Sequence, residues 1–135
     1  MIIIIDNNIV LDALLGRYPF YETAEKILTA CVDMHKGCLT MNSLTDIFYV
    51  LRKYMNATSA KEAINKLMEL LEIITVNADD CIEALALPID DFEDALLAIC
   101  GKKVEADYIV TRDEKFINTN TIIPTISVSE LLSIM

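Results

Sequence analysis

Glycine and proline are scarce, with 3 of each in 135 residues, which excludes a collagen-like or low-complexity chain. Positive charge is scarce too: 11 Lys+Arg face 21 Asp+Glu, for a formal net charge of −10. Such a surface repels nucleic acid at long range, because attraction to phosphate is the main sequence-independent source of affinity, so any nucleic-acid reading needs a local feature. The single histidine, His35, cannot assemble a zinc site with Cys31, Cys38, Cys81 and Cys100, which show no C-x-x-C spacing and sit within apolar patterns. Two disulfides stay open in principle, but free thiols in a reducing compartment fit that placement best. A long unbroken apolar run is also missing. The opening stretch MIIIIDNNIVLDALLG is interrupted by Asp6, Asn7, Asn8 and Asp12, wrong for a membrane span of about 20 apolar residues and for a signal-peptide core. The expectation is a soluble, untargeted cytoplasmic protein with no membrane partner.

Apolar residues are abundant: they make up 54% of the chain, so it must bury a core, and its length suits one domain spanning residues 1–135. Ile2–Ile5 is a β-branched run, apolar on both faces, as in the centre of a parallel sheet covered by helices on each side. A helical pattern comes next, up to Gly16, and Pro19 marks a break. Ala24, Ile27, Leu28 and Cys31 carry the next helical stripe, which Gly37 is expected to end before a short strand at 38–40. Two further stripes, Leu44 to Met55 with Ser43 as N-cap and Ala60 to Leu71, suggest a helical hairpin. A strand near 73–76, a helix through Cys81 and Leu85, a nearly all-apolar helix from Asp91 to Lys103 and a strand at 107–111 come next. A short turn or helix over 112–116, a strand at 125–126 and a last helix over 129–134 complete the pattern. Strands alternating with helices, joined by connections too long for hairpins, predict an α/β fold with a mostly parallel sheet between helical layers.

In such sheets ligands bind beyond the carboxyl ends of the strands, where strand order reverses. Asp6 and Asp113 come directly after two predicted strands, and Asp46 and Asp94 open two predicted helices, so the four can meet on one sheet edge. Bare carboxylates about 4 Å apart repel by about 4 kcal/mol at an effective dielectric near 20. Spacing the groups, protonating one or binding a hard cation removes that cost, and an all-oxygen site suits Mg²⁺ or Mn²⁺. Capping is the competing explanation. Ser43-Leu-Thr-Asp46 and Asp91-Phe-Glu-Asp94 both have capping-box form, Asp6 can cap the helix after it, and Asp113 can cap the next turn. Asp12, Asp91 and Glu93 read as solvated acids, Phe48 as core, and Lys102-Lys103 as complement to a helix dipole. Arg112 and Lys115 are candidates for an RNA path, with a phosphate role favoured for Arg112.

At these residues the sequence resembles the PIN-domain family, metal-dependent ribonucleases that include VapC-type toxins. The matching stretches are IIIIDNNIVLDALLG, SLTDIFYVLRK and DFEDALLAICGKKVEADYIVTRD followed by EKF. The resemblance implies a three-layer α/β/α sandwich, one or two Mg²⁺ or Mn²⁺ ions, single-stranded RNA as substrate, a homodimer and, in bacteria, an antitoxin partner. It assigns the four metal-binding and catalytic acids to Asp6, Asp46, Asp94 and Asp113. It also gives Asn8 a bracing role in its loop and Thr111 an orienting one at the strand end. Two positions depart from the family pattern: Asp46 stands where Glu is usual, one methylene shorter, and Asn7 where Thr or Ser is usual. The expected function is endoribonuclease, and the alternative is a catalytically weak PIN-like module that binds a partner protein.

Overall fold

The computed structural model describes residues 1–119 and 122–135. Five strands, β1 (Ile2–Ile5), β2 (Lys36–Thr40), β3 (Glu72–Ile74), β4 (Tyr108–Val110) and β5 (Thr125–Ile126), form one sheet in the order β3-β2-β1-β4-β5. Every pairing is parallel. The helices are α1 (Asn7–Leu15), α2 (Tyr21–Asp33), α3 (Met41–Leu51), α4 (Ala57–Leu70), α5 (Ala78–Leu85), α6 (Phe92–Lys103), α7 (Glu114–Thr119) and α8 (Val128–Ile134).

The isoleucine run explains the layers. Side chains alternate across a strand, so Ile3 and Ile5 point to one face and Ile4 to the other, and all three are completely buried. Ile3 and Ile5 join a cluster with Ile9, Ile27, Ile47, Leu67 and Leu131 from α1, α2, α3, α4 and α8. Ile4 packs with Leu97, Cys100 and Phe116 from α6 and α7. The expected α/β/α sandwich is therefore the observed architecture. Residues 95–101 of α6 are all buried, because Ala95, Leu96 and Ile99 meet α5 while Leu97 and Cys100 meet the sheet. Among the described residues no helix is long and apolar enough to cross a membrane.

Three local expectations are corrected. Gly37 does not end α2, which stops at Asp33; it lies inside β2, where a Cβ would come within 2.8 Å of both Cys31 Cβ and Leu71 Cδ2. Glycine here serves close packing. Ser43 is not the N-cap of α3. That helix starts at Met41 after Thr40, and the Thr40 and Ser43 hydroxyls share a buried hydrogen bond of 2.7 Å. The strand expected at 73–76 is shorter and begins earlier, at Glu72, because its pairing with β2 runs from Cys38–Glu72 to Thr40–Ile74. Gly16 does end α1, in the left-handed conformation (φ 62°) that its missing side chain makes inexpensive.

Candidate functional site

Strand order reverses at β1, whose neighbours β2 and β4 lead away on opposite sides. A crevice opens beyond the carboxyl ends of β1 and β4, the place where α/β sheets hold ligands. A cleft of about 270 Å³ lies there, lined by Asp6, Asn7, Asn8, Leu11, Asp46, Val50, Asp91, Glu93, Asp94 and Asp113. Each acid arrives by a different route. Asp6 comes directly after β1, Asp46 is carried by α3, Asp94 by the first turn of α6, and Asp113 by the loop leaving β4. All four acids selected from sequence therefore face one cavity, with Asp91 and Glu93 beside them.

The capping explanations can be judged one by one. Asp6 precedes α1 but makes no side-chain cap bond; its Oδ2 accepts a 2.7 Å hydrogen bond from Thr111 Oγ1. Asp46 lies beyond the first turn of α3, so the Ser43–Asp46 capping box is overturned. Asp91 is the true N-cap of α6, its Oδ1 accepting the Asp94 N–H at 3.0 Å, which leaves the Asp94 carboxylate unused by the cap. Asp113 divides its attention: Oδ1 accepts the Lys115 N–H at 3.0 Å, while its own N–H donates to Thr111 Oγ1 at 3.1 Å.

Thr111, fully buried, thus ties the ends of β1 and β4 together through one hydroxyl. Asn8 lines the cleft, yet its side chain makes no hydrogen bond among the described residues. Asn7 Oδ1 is buried beside the cleft and has no hydrogen-bond partner among them.

Crowding shows in the proton affinities. Burial, with Asp91, Asp6, Asp113 and Glu93 nearby, pushes the Asp94 carboxyl up to about 7. Burial, a hydrogen bond with the Asp46 carboxyl and the charges of Asp46, Asp91 and Asp6 push Glu93 to about 7 as well. Asp6 is raised by burial, opposed by the Thr111 hydrogen bond. Among the described residues no Lys or Arg forms an ion pair with Asp6, Asp46, Glu93, Asp94 or Asp113.

The donor set fits a hard divalent cation. It is all oxygen, it carries uncompensated negative charge, and it includes a buried amide oxygen lacking a donor. Among the described residues no three Asp, Glu, His or Cys side chains are grouped so as to hold an ion by themselves. Mg²⁺ does not require such a group, since it is usually held by one or two carboxylates and keeps several waters.

One acid differs from the sequence expectation. Asp12 is not a solvated acid: it is completely buried, bound through both oxygens by Arg112 at 2.8 and 3.1 Å. Its position one helical turn after Ile9, on the buried stripe of α1, is the signal available in the chain, because a carboxylate on an apolar face needs a cationic partner. Glu93 is exposed, as expected, and with Asp91 it also lines the cleft. Arg112 opens on a neighbouring cleft with Phe20 rather than on the acidic one. Lys115 extends into solvent with its Nζ 3.8 Å from Asp90. Phe48 and Phe116 pack into the core, whereas Tyr49 and Tyr54 are exposed.

A parallel α/β/α sandwich with a carboxylate-lined cleft at its topological switch point defines a class of acid-cluster α/β proteins. A family model for the PIN domain matches residues 2–115, and the chain belongs to the PIN-domain family. No curated protein sequence matches the chain. Among solved structures it is similar to VapBC2 from Rickettsia felis bound to a DNA fragment from its promoter, with TM-score 0.73 and 19% identity over 94% of this chain and 98% of that one. It is also similar to a toxin–antitoxin complex from Klebsiella pneumoniae (TM-score 0.70, 17% identity, 93% and 96% covered). VapC20 from Mycobacterium tuberculosis, described as a sarcin-ricin loop cleaving toxin, matches with TM-score 0.73 and 13% identity over 90% and 97% of the two chains. At these identities the likeness concerns the fold.

Proposed function

We propose that the chain is a single PIN-like nuclease domain over residues 1–135, a metal-dependent endoribonuclease that hydrolyses phosphodiester bonds of single-stranded RNA as the toxin of a toxin–antitoxin pair. The observation that carries this reading is the meeting of Asp6, Asp46, Asp94 and Asp113 around one cleft. Asp6, Asp94 and Asp113 would hold Mg²⁺ or Mn²⁺ together with waters that span what the carboxylates do not reach, and the shorter Asp46 would likewise reach it through water. When bound, such an ion supplies an activated water and offsets charge building on the phosphodiester. Thr111 orients Asp6 by donating to its Oδ2. Glu93 lines the same cleft beside Asp46 and is placed to take a proton from a water held there. Lys115 stands beside Asp113 with its ammonium in solvent, the better placed of the two candidate cations to meet an RNA phosphate, since Arg112 is engaged by Asp12.

Support for the toxin role comes from family membership and from the likeness to the Klebsiella complex and the Mycobacterium toxin. An antitoxin and a second copy of the chain are the expected protein partners. Four free cysteines agree with a reducing cytoplasm. The test is cleavage of single-stranded RNA in Mg²⁺ or Mn²⁺: activity is expected, and it should vanish on chelation and in Asp6→Asn. Cleavage that persists in either case removes the mechanism.

The catalytically weak interaction module draws on one observation, an open apolar cleft of about 390 Å³ between α3 and α4, lined by Leu44, Phe48 and Ile64. A tight protein complex formed by a chain with no measurable Mn²⁺ affinity would favour that reading.

A further inference from the structure

Asp12 and Arg112 lie outside the acid cleft, yet both are joined to residues that line it. Asp12 sits on α1, the helix that Asp6 precedes, and its side chain is 1% exposed. Arg112 Nε donates to Asp12 Oδ2 at 2.8 Å and Arg112 Nη2 to Oδ1 at 3.1 Å, a two-pronged contact. Arg17 Nη1 stands 3.6 Å from Oδ1, and the Arg112 guanidinium carbon lies 4.3 Å from the centre of the Phe20 ring. In sequence Arg112 falls between Thr111, which donates to Asp6, and Asp113, whose N–H donates back to Thr111.

We infer that the Asp12–Arg112 pair is a positioning device that clamps residues 111–113 onto α1 and holds the Asp113 carboxylate beside that of Asp6 so that the two share one divalent cation. The inference rests on the metal-centre reading above.

The physical case has three parts. The segment links a short strand to a short helix, and Asp113 and Asp6 repel, so that past the β1–β4 pairing the local hold on the two is the Thr111 hydroxyl, which bonds the Asp6 carboxylate but only the backbone N–H of Asp113. A buried ion pair is a poor source of stability, because desolvation offsets its attraction and apolar residues of similar volume do as well. What the pair supplies is direction: a planar guanidinium gripping both carboxylate oxygens fixes distance and angle, as an ammonium does not. The buried Asp12 carboxylate and the Phe20 ring against the guanidinium restrict where Arg112 can lie, and Asp113 is the next residue in the chain.

The test uses the full chain in two variants. Asp12→Leu with Arg112→Met removes the clamp while filling its volume with apolar atoms. Arg112→Lys keeps the charge and loses the fork. Mn²⁺ affinity is measured by calorimetry, hydrogen exchange at the Asp113 amide is measured without metal, and thermal melting reports the fold. The double variant is expected to melt close to wild type, bind Mn²⁺ about tenfold to a hundredfold more weakly, as for other residues that support metal ligands, and exchange the Asp113 amide at least about tenfold faster. Amides of β1 should be unchanged. Arg112→Lys should fall between wild type and the double variant on both readouts, and it carries the test if the double variant melts much lower. Unchanged Mn²⁺ affinity and unchanged Asp113 exchange in a folded variant overturn the inference. A wild-type chain that takes up no Mn²⁺ overturns the metal-centre reading itself, a failure told apart from that of the clamp because exchange is measured without metal.

Discussion

Helix α1 is bordered by one carboxylate and contains another, and the protein treats them in opposite ways. Asp12 is sealed from water and answered by Arg112, with Arg17 nearby. Asp6 shares a cleft with Asp46, Asp91, Glu93, Asp94 and Asp113, and among the described residues its one side-chain donor is the Thr111 hydroxyl. Burial alone does not separate structural from functional acids, since both are largely withdrawn from solvent. Compensation does. A carboxylate whose charge is cancelled inside the protein is part of the frame, while acids crowded together without a cation store repulsion that an incoming ion relieves.

Neutralising one acid on each side tests the contrast most sharply. Asp6→Asn should abolish detectable RNA cleavage, a loss of at least about 10²–10³-fold, the size of effect seen when a group that stabilises transition-state charge is lost, with the melting temperature unchanged or higher. Asp12→Ala should do the reverse to the fold, costing about 1–2 kcal/mol in urea unfolding, since Arg112 and Arg17 lose their buried partner but, each about a third exposed, keep part of their hydration. If Asp6→Asn destabilises and Asp12→Ala does not, the division of roles is wrong.

A smaller effect separates the two sites by pH. Asp94 and Glu93 have ordinary values of 3.8 and 4.5 and are raised to about 7 in the folded chain, so the native state holds their protons more firmly. Their contribution to stability is therefore present at low pH and is lost as pH rises from about 4 through 7. Metal-free protein should melt a few degrees lower at pH 7.5 than at pH 5.5, Asp94→Asn should flatten the difference, and Mg²⁺ should restore the loss at pH 7.5. A melting temperature that rises across this range contradicts the crowded-acid picture. The smallest change expected is at Lys115, whose pairing with Asp90 is solvent-exposed. Lys115→Ala should leave melting unaltered and lower the salt slope of RNA binding by about one, and an unaltered slope takes Lys115 off the RNA path.

Much of this is legible in the chain because the relevant signals are local. The isoleucine run, long connections and amphipathic stripes predict a parallel sheet between helices, and carboxylates at strand ends predict where they gather. The sequence misleads where long-range contacts decide. Gly37 has the pattern of a helix stop and is a close-packing residue inside β2, because Cys31 and Leu71 approach it from other elements. Ser43 has the pattern of a cap and lies within the first turn of α3, because pairing of β2 ends at Thr40 and the helix begins at once. Glu93 and Asp12 are alike in sequence, two acids on or near helical faces, and differ only through their neighbours in space.

By itself the order of residues determined the layered parallel fold and the four acids at its edge, since periodicity and strand-end position depend on residues close in sequence. Only the tertiary structure decided which acids are neutralised and which are left crowded. Charge compensation depends on groups brought together from distant positions: Arg112 onto Asp12, and Glu93 against Asp46. Interaction between charges is set by separation in space and by the water excluded between them, and neither is written in the spacing along the chain.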